Sequence, residues 1–141
     1  MNTILIYEEE TYTIRGAIFE VYKEMKNGYR EEVYQQCLEL ELSARGIPFQ
    51  SKPELHVIYK GTPIEKTYIP DLVCYGKIIV ELKTVTALAD EHRAQLLNYL
   101  RLTKMRLGLL VNFASYPTVV IERWVLGPNN RDNLECLAKP Q

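Results

Sequence analysis

Cysteine is scarce in this sequence of 141 residues: Cys37, Cys74 and Cys136 stand far apart. An odd, sparse set supports neither a disulfide framework nor an iron–sulfur cluster, which usually needs four thiolates. Free, buried thiols are the simpler reading. Long apolar runs are missing too. No stretch approaches the roughly 20 residues of a membrane span, and the first residues carry no basic stretch followed by an apolar block. We therefore expect a cytoplasmic protein without membrane association. Excess charge is also absent: 17 bases against 18 acids leave a formal net charge of -1, so composition alone does not announce a polyanionic partner. Internal repeats, low-complexity segments and linkers are lacking. The length suits one domain, which we place at residues 1–126, with a polar, loosely held tail over 127–141.

What is present is an ordinary globular balance, 47% apolar and 25% charged, unevenly laid out. Residues 1–45 hold nine acids and five bases, whereas residues 77–106 hold six bases and three acids. A locally basic half can face a polyanion or simply solvent.

Ile14, Ile18, Val21, Tyr22 and Met25 recur at helical spacing and predict a helix over 9–25, stopped at Asn27-Gly28. A second helix, about 30–45, carries Val33, Cys37, Leu40 and Ala44 on one side and ends at Gly46. Beyond Pro48 the texture changes to strands: 56–59, a tight turn at Lys60-Gly61, 68–75, a second turn at Gly76-Lys77, and 78–83. Residues 90–104 return to helix with a stripe of Leu96, Leu97 and Leu100. Residues 107–113 and 118–126 predict two last strands around Ser115-Tyr116-Pro117. Helix, helix, three strands, helix, two strands describes an α/β mixed sheet flanked by helices.

The chemistry gathers around Pro70-Asp71 and, ten residues on, Glu81-Leu82-Lys83. Alternate side chains of a strand share a face, so Glu81 and Lys83 point one way and Leu82 the other. Two carboxylates converging from paired strands suit a hard divalent ion, and an adjacent lysine suits a water or a phosphate. This requires a particular turn. A two-residue connection would set Asp71 opposite Leu82, on the wrong face; three residues, Tyr75-Gly76-Lys77, set Asp71 opposite Glu81. We expect the odd-length turn or an equivalent bulge. The alternative is a solvated strand face, but the apolar residues Ile78, Ile79, Val80 and Leu82 around Glu81 predict a buried strand, where an unpaired carboxylate is costly.

On the following helix His92, Gln95 and Tyr99 fall within about 60° of arc. Gln95 could bond Lys83 or a phosphate, and Tyr99 could position the scissile group. An amphipathic boundary explains the same residues, and for His92 it is the preferred reading. Glu31 and Tyr34 share a face of the second helix, where the helix dipole alone explains an acid in the first turn.

Together these segments resemble the GxxExxY proteins of the PD-(D/E)XK nuclease superfamily. The resemblance rests on Gly28, Glu31 and Tyr34; on Asp71 with Glu81-Leu82-Lys83; on Gln95 through Tyr99 as a QxxxY element; and on Gly108 through Phe113 as the next strand. It spans about residues 10–125. It implies a restriction-endonuclease-like core with a mixed four- or five-stranded sheet and the site at its splayed edge. It further implies Mg2+ or Mn2+ held by Asp71, Glu81 and the Leu82 carbonyl, with Glu31 completing the acidic set. Lys83 would then activate water, Gln95 and Tyr99 would serve the reacting centre, and Tyr34, His92 and Arg93 would contact substrate. The expected activity is metal-dependent phosphodiester hydrolysis with DNA as partner. A catalytically silent module that binds nucleic acid or protein is the alternative, and a homodimer or larger assembly could supply substrate affinity.

Overall fold

The computed structural model describes residues 6–127. Two helices come first, α1 (Glu8–Met25) and α2 (Glu31–Ala44). α1 buries Ile14, Ala17, Ile18, Val21 and Tyr22, the apolar stripe its spacing predicts. Its stop falls on Lys26, at positive φ (62°), whose N–H reaches the Tyr22 carbonyl at 2.7 Å, before the turn at Gly28 (φ 118°). α2 corrects the expected face. Tyr34, Leu38 and Leu42 are buried, while Leu40 is 73% exposed and Ala44 also faces solvent. Gly46 (φ 70°) ends α2 as expected, with the Ile47 N–H closing back on the Leu42 carbonyl at 2.9 Å.

Five strands follow where three were expected: β1 (Phe49–Ser51), β2 (Leu55–Tyr59), β3 (Thr62–Tyr68), β4 (Leu72–Cys74) and β5 (Ile78–Lys83). Then come α3 (Asp90–Thr103), β6 (Leu107–Asn112) and β7 (Val120–Val125). The predicted strand over 68–75 is divided. β3 ends at Tyr68 and β4 begins at Leu72, and between them Pro70 lacks the N–H that a continuing ladder needs. β1 was not anticipated; it pairs antiparallel with β4, Phe49 opposite Cys74. β2 and β3 form a separate ribbon through the Lys60-Gly61 turn, both residues at positive φ.

The main sheet is mixed and five-stranded, in the order β1-β4-β5-β6-β7, with only β5 and β6 parallel. The expected restriction-endonuclease-like arrangement is therefore what the chain adopts. One face packs Ile78, Val80, Leu82, Leu107, Leu109 and Val111 against α1 and α2. The other packs Val73, Ile79 and Leu110 against Leu96, Leu97 and Leu100 of α3. α3 lies so close that a Cβ on Gly108 would stand 2.8 Å from Leu96 Cδ1, which explains a glycine in a fully buried strand. No helix among the described residues is long and apolar enough to cross a membrane. Apart from Gly127, the expected polar tail lies outside the described residues, as does Cys136; Cys37 and Cys74 are free thiols.

Candidate active site

The β4–β5 hairpin sets the site. Its register pairs Cys74 with Ile78, Val73 with Ile79 and Leu72 with Val80. The connection is thus Tyr75-Gly76-Lys77, the three-residue turn, with Tyr75 and Gly76 left-handed (φ 56° and 71°) and Lys77 N–H on the Cys74 carbonyl at 3.1 Å. Continuing that register sets Asp71 opposite Glu81. Val73 and Ile79 face α3, so by strand alternation both carboxylates belong to that side.

The two acids lock each other in place. The Asp71 N–H donates to Glu81 Oε1 at 2.9 Å, and the Leu82 N–H donates to Asp71 Oδ2 at 2.8 Å. Each carboxylate thus has one oxygen fixed by main chain and one turned elsewhere. Among the described residues Asp71 Oδ1 meets only the exposed ammonium of Lys52, at 3.4 Å. The Asp71 carbonyl accepts from Gln35 Nε2 at 2.8 Å and from the Lys52 N–H at 3.0 Å, so β4 begins from an anchored residue. The N–H and C=O of one strand residue project to the same side, so the Leu82 carbonyl opens on the Asp71 side, beyond the end of β4.

Burial makes this pair energetically conspicuous. Glu81 is 9% exposed. Loss of water, then the neighbouring Asp71 charge, push its pKa up to about 7, against smaller pulls from the Asp71 N–H and the Lys83 charge. Lys83 ends β5 half-buried and has no ion-pair partner among the described residues. Glu31, in the first turn of α2, joins the same electrostatic cluster. Partial burial and then Asp71 raise its pKa, while Lys83 and Lys52 oppose the shift.

Other expected residues take different places. Tyr34 is fully buried, stacked on Phe113 with centroids 4.4 Å apart. Its hydroxyl donates to the Lys26 carbonyl and accepts from the Tyr29 N–H. Tyr34 therefore anchors the α1–α2 turn that presents Glu31; it is not exposed to substrate, a correction to that expectation. His92 caps the start of α3, with Nδ1 accepting from the Ala89 N–H at 2.9 Å, a structural role different from the amphipathic boundary expected for it. Arg93 is committed elsewhere. Its Nε and Nη2 both reach the Glu122 carboxylate at 2.8 Å, and Nη1 reaches Asp90 at 2.9 Å. A guanidinium held this way has little left for a phosphate. Gln95 is exposed and donates to the Tyr99 hydroxyl at 3.1 Å, not to Lys83.

Tyr68 was missed by sequence reasoning. Its ring stacks on Tyr99 with centroids 3.4 Å apart and planes at 16°, and its hydroxyl is buried beside Glu81 with no hydrogen-bond partner among the described residues. Gln95 and Tyr99 thus connect to the acids through Tyr68. The available signal was an aromatic residue at a strand end just before Pro70-Asp71. Asn112, the last residue of β6, gives no signal in the sequence beyond its place in a strand. It proves to be a buried clamp, exchanging bonds with Val85 N–H (3.1 Å) and Val85 C=O (2.8 Å).

Among the described residues no three acidic, histidine or cysteine side chains form a ready-made cation cage. What the hairpin does provide is two carboxylates and a lysine at one end of a mixed sheet covered by helices on both faces, the layout of a restriction-endonuclease-like core. A family model described as the PD-(D/E)XK nuclease superfamily matches residues 8–124, and the chain belongs to that superfamily. Its members generally use divalent metals, and membership supports a nuclease-type function. No curated protein and no solved structure matches the chain.

Proposed function

We propose that this chain is a divalent-metal-dependent nuclease that hydrolyses DNA phosphodiesters, within the GxxExxY branch of its superfamily. The observation that carries the reading is the pairing of buried Glu81 with half-buried Asp71. Two acids are held together through main-chain N–H groups, and burial, then the Asp71 charge, raise the Glu81 pKa to about 7 despite the opposing pull of Lys83. Asp71, Glu81 and the Leu82 carbonyl, with Glu31 at the rim, are the groups that would hold Mg2+ or Mn2+. They are all hard oxygen donors, and an ion that keeps several waters needs no closed protein cage. When bound, the ion supplies polarisation of a phosphoryl oxygen and acidification of water.

The chain's own groups do the rest. Lys83 orients the attacking water and offsets negative charge developing on the phosphate. Main-chain N–H groups keep both carboxylates in rotamers that need no reorganisation on binding. Tyr68, braced by Tyr99, fills the wall behind Glu81 and keeps bulk water out. Residues 1–126 act in this reading as one catalytic unit. Free Cys37 and Cys74 fit a reducing, cytoplasmic setting.

The test is incubation of the purified protein with Mg2+ or Mn2+ and linear, nicked, branched or single-stranded DNA. Cleavage abolished by Glu81→Ala and by Lys83→Ala is expected. No cleavage of any substrate, or cleavage that survives both changes, removes the enzyme reading.

A second reading draws on a basic cluster away from the acids. Arg101, Lys104 and Arg106 gather around a small pocket of about 130 Å3 after α3. A catalytically silent binding module would use these bases, ignore divalent metal and show steep salt dependence. With so few uncommitted cations near the acids, a second copy or a larger assembly is the natural source of extra substrate affinity in either case.

A further inference from the structure

One groove touches the acid pair at Asp71 and another lies beyond the end of β5, and their chemistry differs. One, of about 490 Å3, is walled by Glu31, Glu32, Glu39 and Asp71 with Lys52 as its single base. A phosphate chain approaching along it would meet four carboxylates. The other, of about 660 Å3, carries the hydroxyls of Thr84, Thr86, Ser115, Tyr116 and Thr118 and no acid. It begins where β5 ends: Thr84 follows Lys83 directly, and the Phe113 N–H bonds the Lys83 carbonyl at 2.9 Å, tying the opposite wall to the same residue. The groove therefore begins one residue beyond Lys83, at the end of β5.

Its walls are held rigidly. Asn112 binds Val85 of one wall through both amide atoms, and on the other it donates to Ser115 Oγ at 3.2 Å and accepts from the Ala114 N–H at 3.2 Å. From α1, the Tyr22 hydroxyl donates to the Ser115 carbonyl at 2.7 Å. At the rim stands Tyr116, 82% exposed, an aromatic ring with no packing duty comparable to those of Tyr34 or Tyr68.

We infer that this hydroxyl groove is the track for one unpaired nucleic-acid strand leaving the active site, with Tyr116 as the platform on which a base stacks. Hydroxyl groups are regular donors to phosphate oxygens, and an aromatic face accepts any base. The strand is single because a base within a duplex already has both faces covered by its neighbours and offers none to Tyr116. The groove carries no cation, so its contribution to affinity is insensitive to salt. The direction of the track, away from Lys83, rests on the nuclease reading; the occupancy of the groove does not.

Fluorescence anisotropy with a labelled oligothymidylate and a blunt duplex of equal length, in EDTA so that nothing is cut, tests it. The single strand is expected to bind more tightly than the duplex. Tyr116→Ala should weaken single-strand binding by about tenfold without changing the slope against salt, and Tyr116→Phe, which keeps the ring, should bind as wild type. Equal affinity for strand and duplex overturns the inference, as does wild-type binding by Tyr116→Ala or a loss in Tyr116→Phe equal to that in Tyr116→Ala. Tyr116-dependent binding without cleavage in Mg2+ or Mn2+ would leave the track and remove the nuclease. Glu81-dependent cleavage indifferent to Tyr116 would do the reverse.

Discussion

Glu81 is asked to do something unfavourable. Its carboxyl is almost out of water, one oxygen bonded by a single N–H and a second carboxylate at its side. Burial and the Asp71 charge raise its pKa from the usual carboxylate range to about 7. The folded state thus holds the proton more tightly than the unfolded chain does. The associated stability is fully present below about pH 4.5 and is lost as pH rises through 7. A shift of this size corresponds to roughly 3 kcal/mol. Glu81→Gln keeps an oxygen for the Asp71 N–H and removes the charge. We expect urea unfolding in EDTA to show wild type losing more stability than Glu81→Gln between pH 5 and pH 8, with the variant the more stable at pH 8. Parallel pH profiles for the two proteins would mean that Glu81 is comfortable as an anion.

At the scale of elements, α3 is fastened to the sheet by one ion pair as well as by its leucines. Arg93 reaches across to Glu122 on β7 with two bonds, and Trp124 Nε1 donates to the same carboxylate at 2.9 Å. The bonds from Arg93 and Trp124 hold the Glu122 pKa down despite its burial. Glu122→Ala leaves the guanidinium with Asp90 alone and should lower unfolding stability by about 2 kcal/mol. Replacing both Arg93 and Glu122 by Met should cost less than the single change, because no unpaired charge remains. A double variant as unstable as the sum of its singles would contradict this. The pair also shows why the site was only partly legible in the sequence. The Asp71–Glu81 relation is local, fixed by the length of one turn, and it could be worked out residue by residue. The Arg93–Glu122 pair and the Tyr68–Tyr99 stack join distant segments and leave no periodic trace. Helix faces show the same division. α1 and α3 each offer one apolar stripe, whereas α2 offers two, and Leu40 with Ala44 competed with Leu38 and Leu42. The tie was decided by Tyr34, which packs on Phe113 of another element. β1 and β4, three residues each, are too short for alternation to register.

For the whole molecule, Asp71, Glu81 and Lys83 stand together at one end of the sheet, so the proposed cation binding would be coupled to stability through the same two carboxylates. A ligand that binds only the folded state stabilises it by about 2.7 kcal/mol at a hundredfold excess over its dissociation constant, which for a chain of this size is a rise in melting temperature of roughly 6–10 °C. Mn2+ should therefore raise the melting temperature of wild type at pH 7.5. Glu81→Gln should respond oppositely in its two halves: a higher melting temperature than wild type in EDTA, and little further rise when Mn2+ is added. Such a crossing pattern separates a functional carboxylate from a structural one, since a residue kept for packing would lower the metal-free value when changed. A wild type indifferent to Mn2+ would mean that Asp71 and Glu81 hold no cation. A variant that gains as much from Mn2+ as wild type would place the cation elsewhere on the chain.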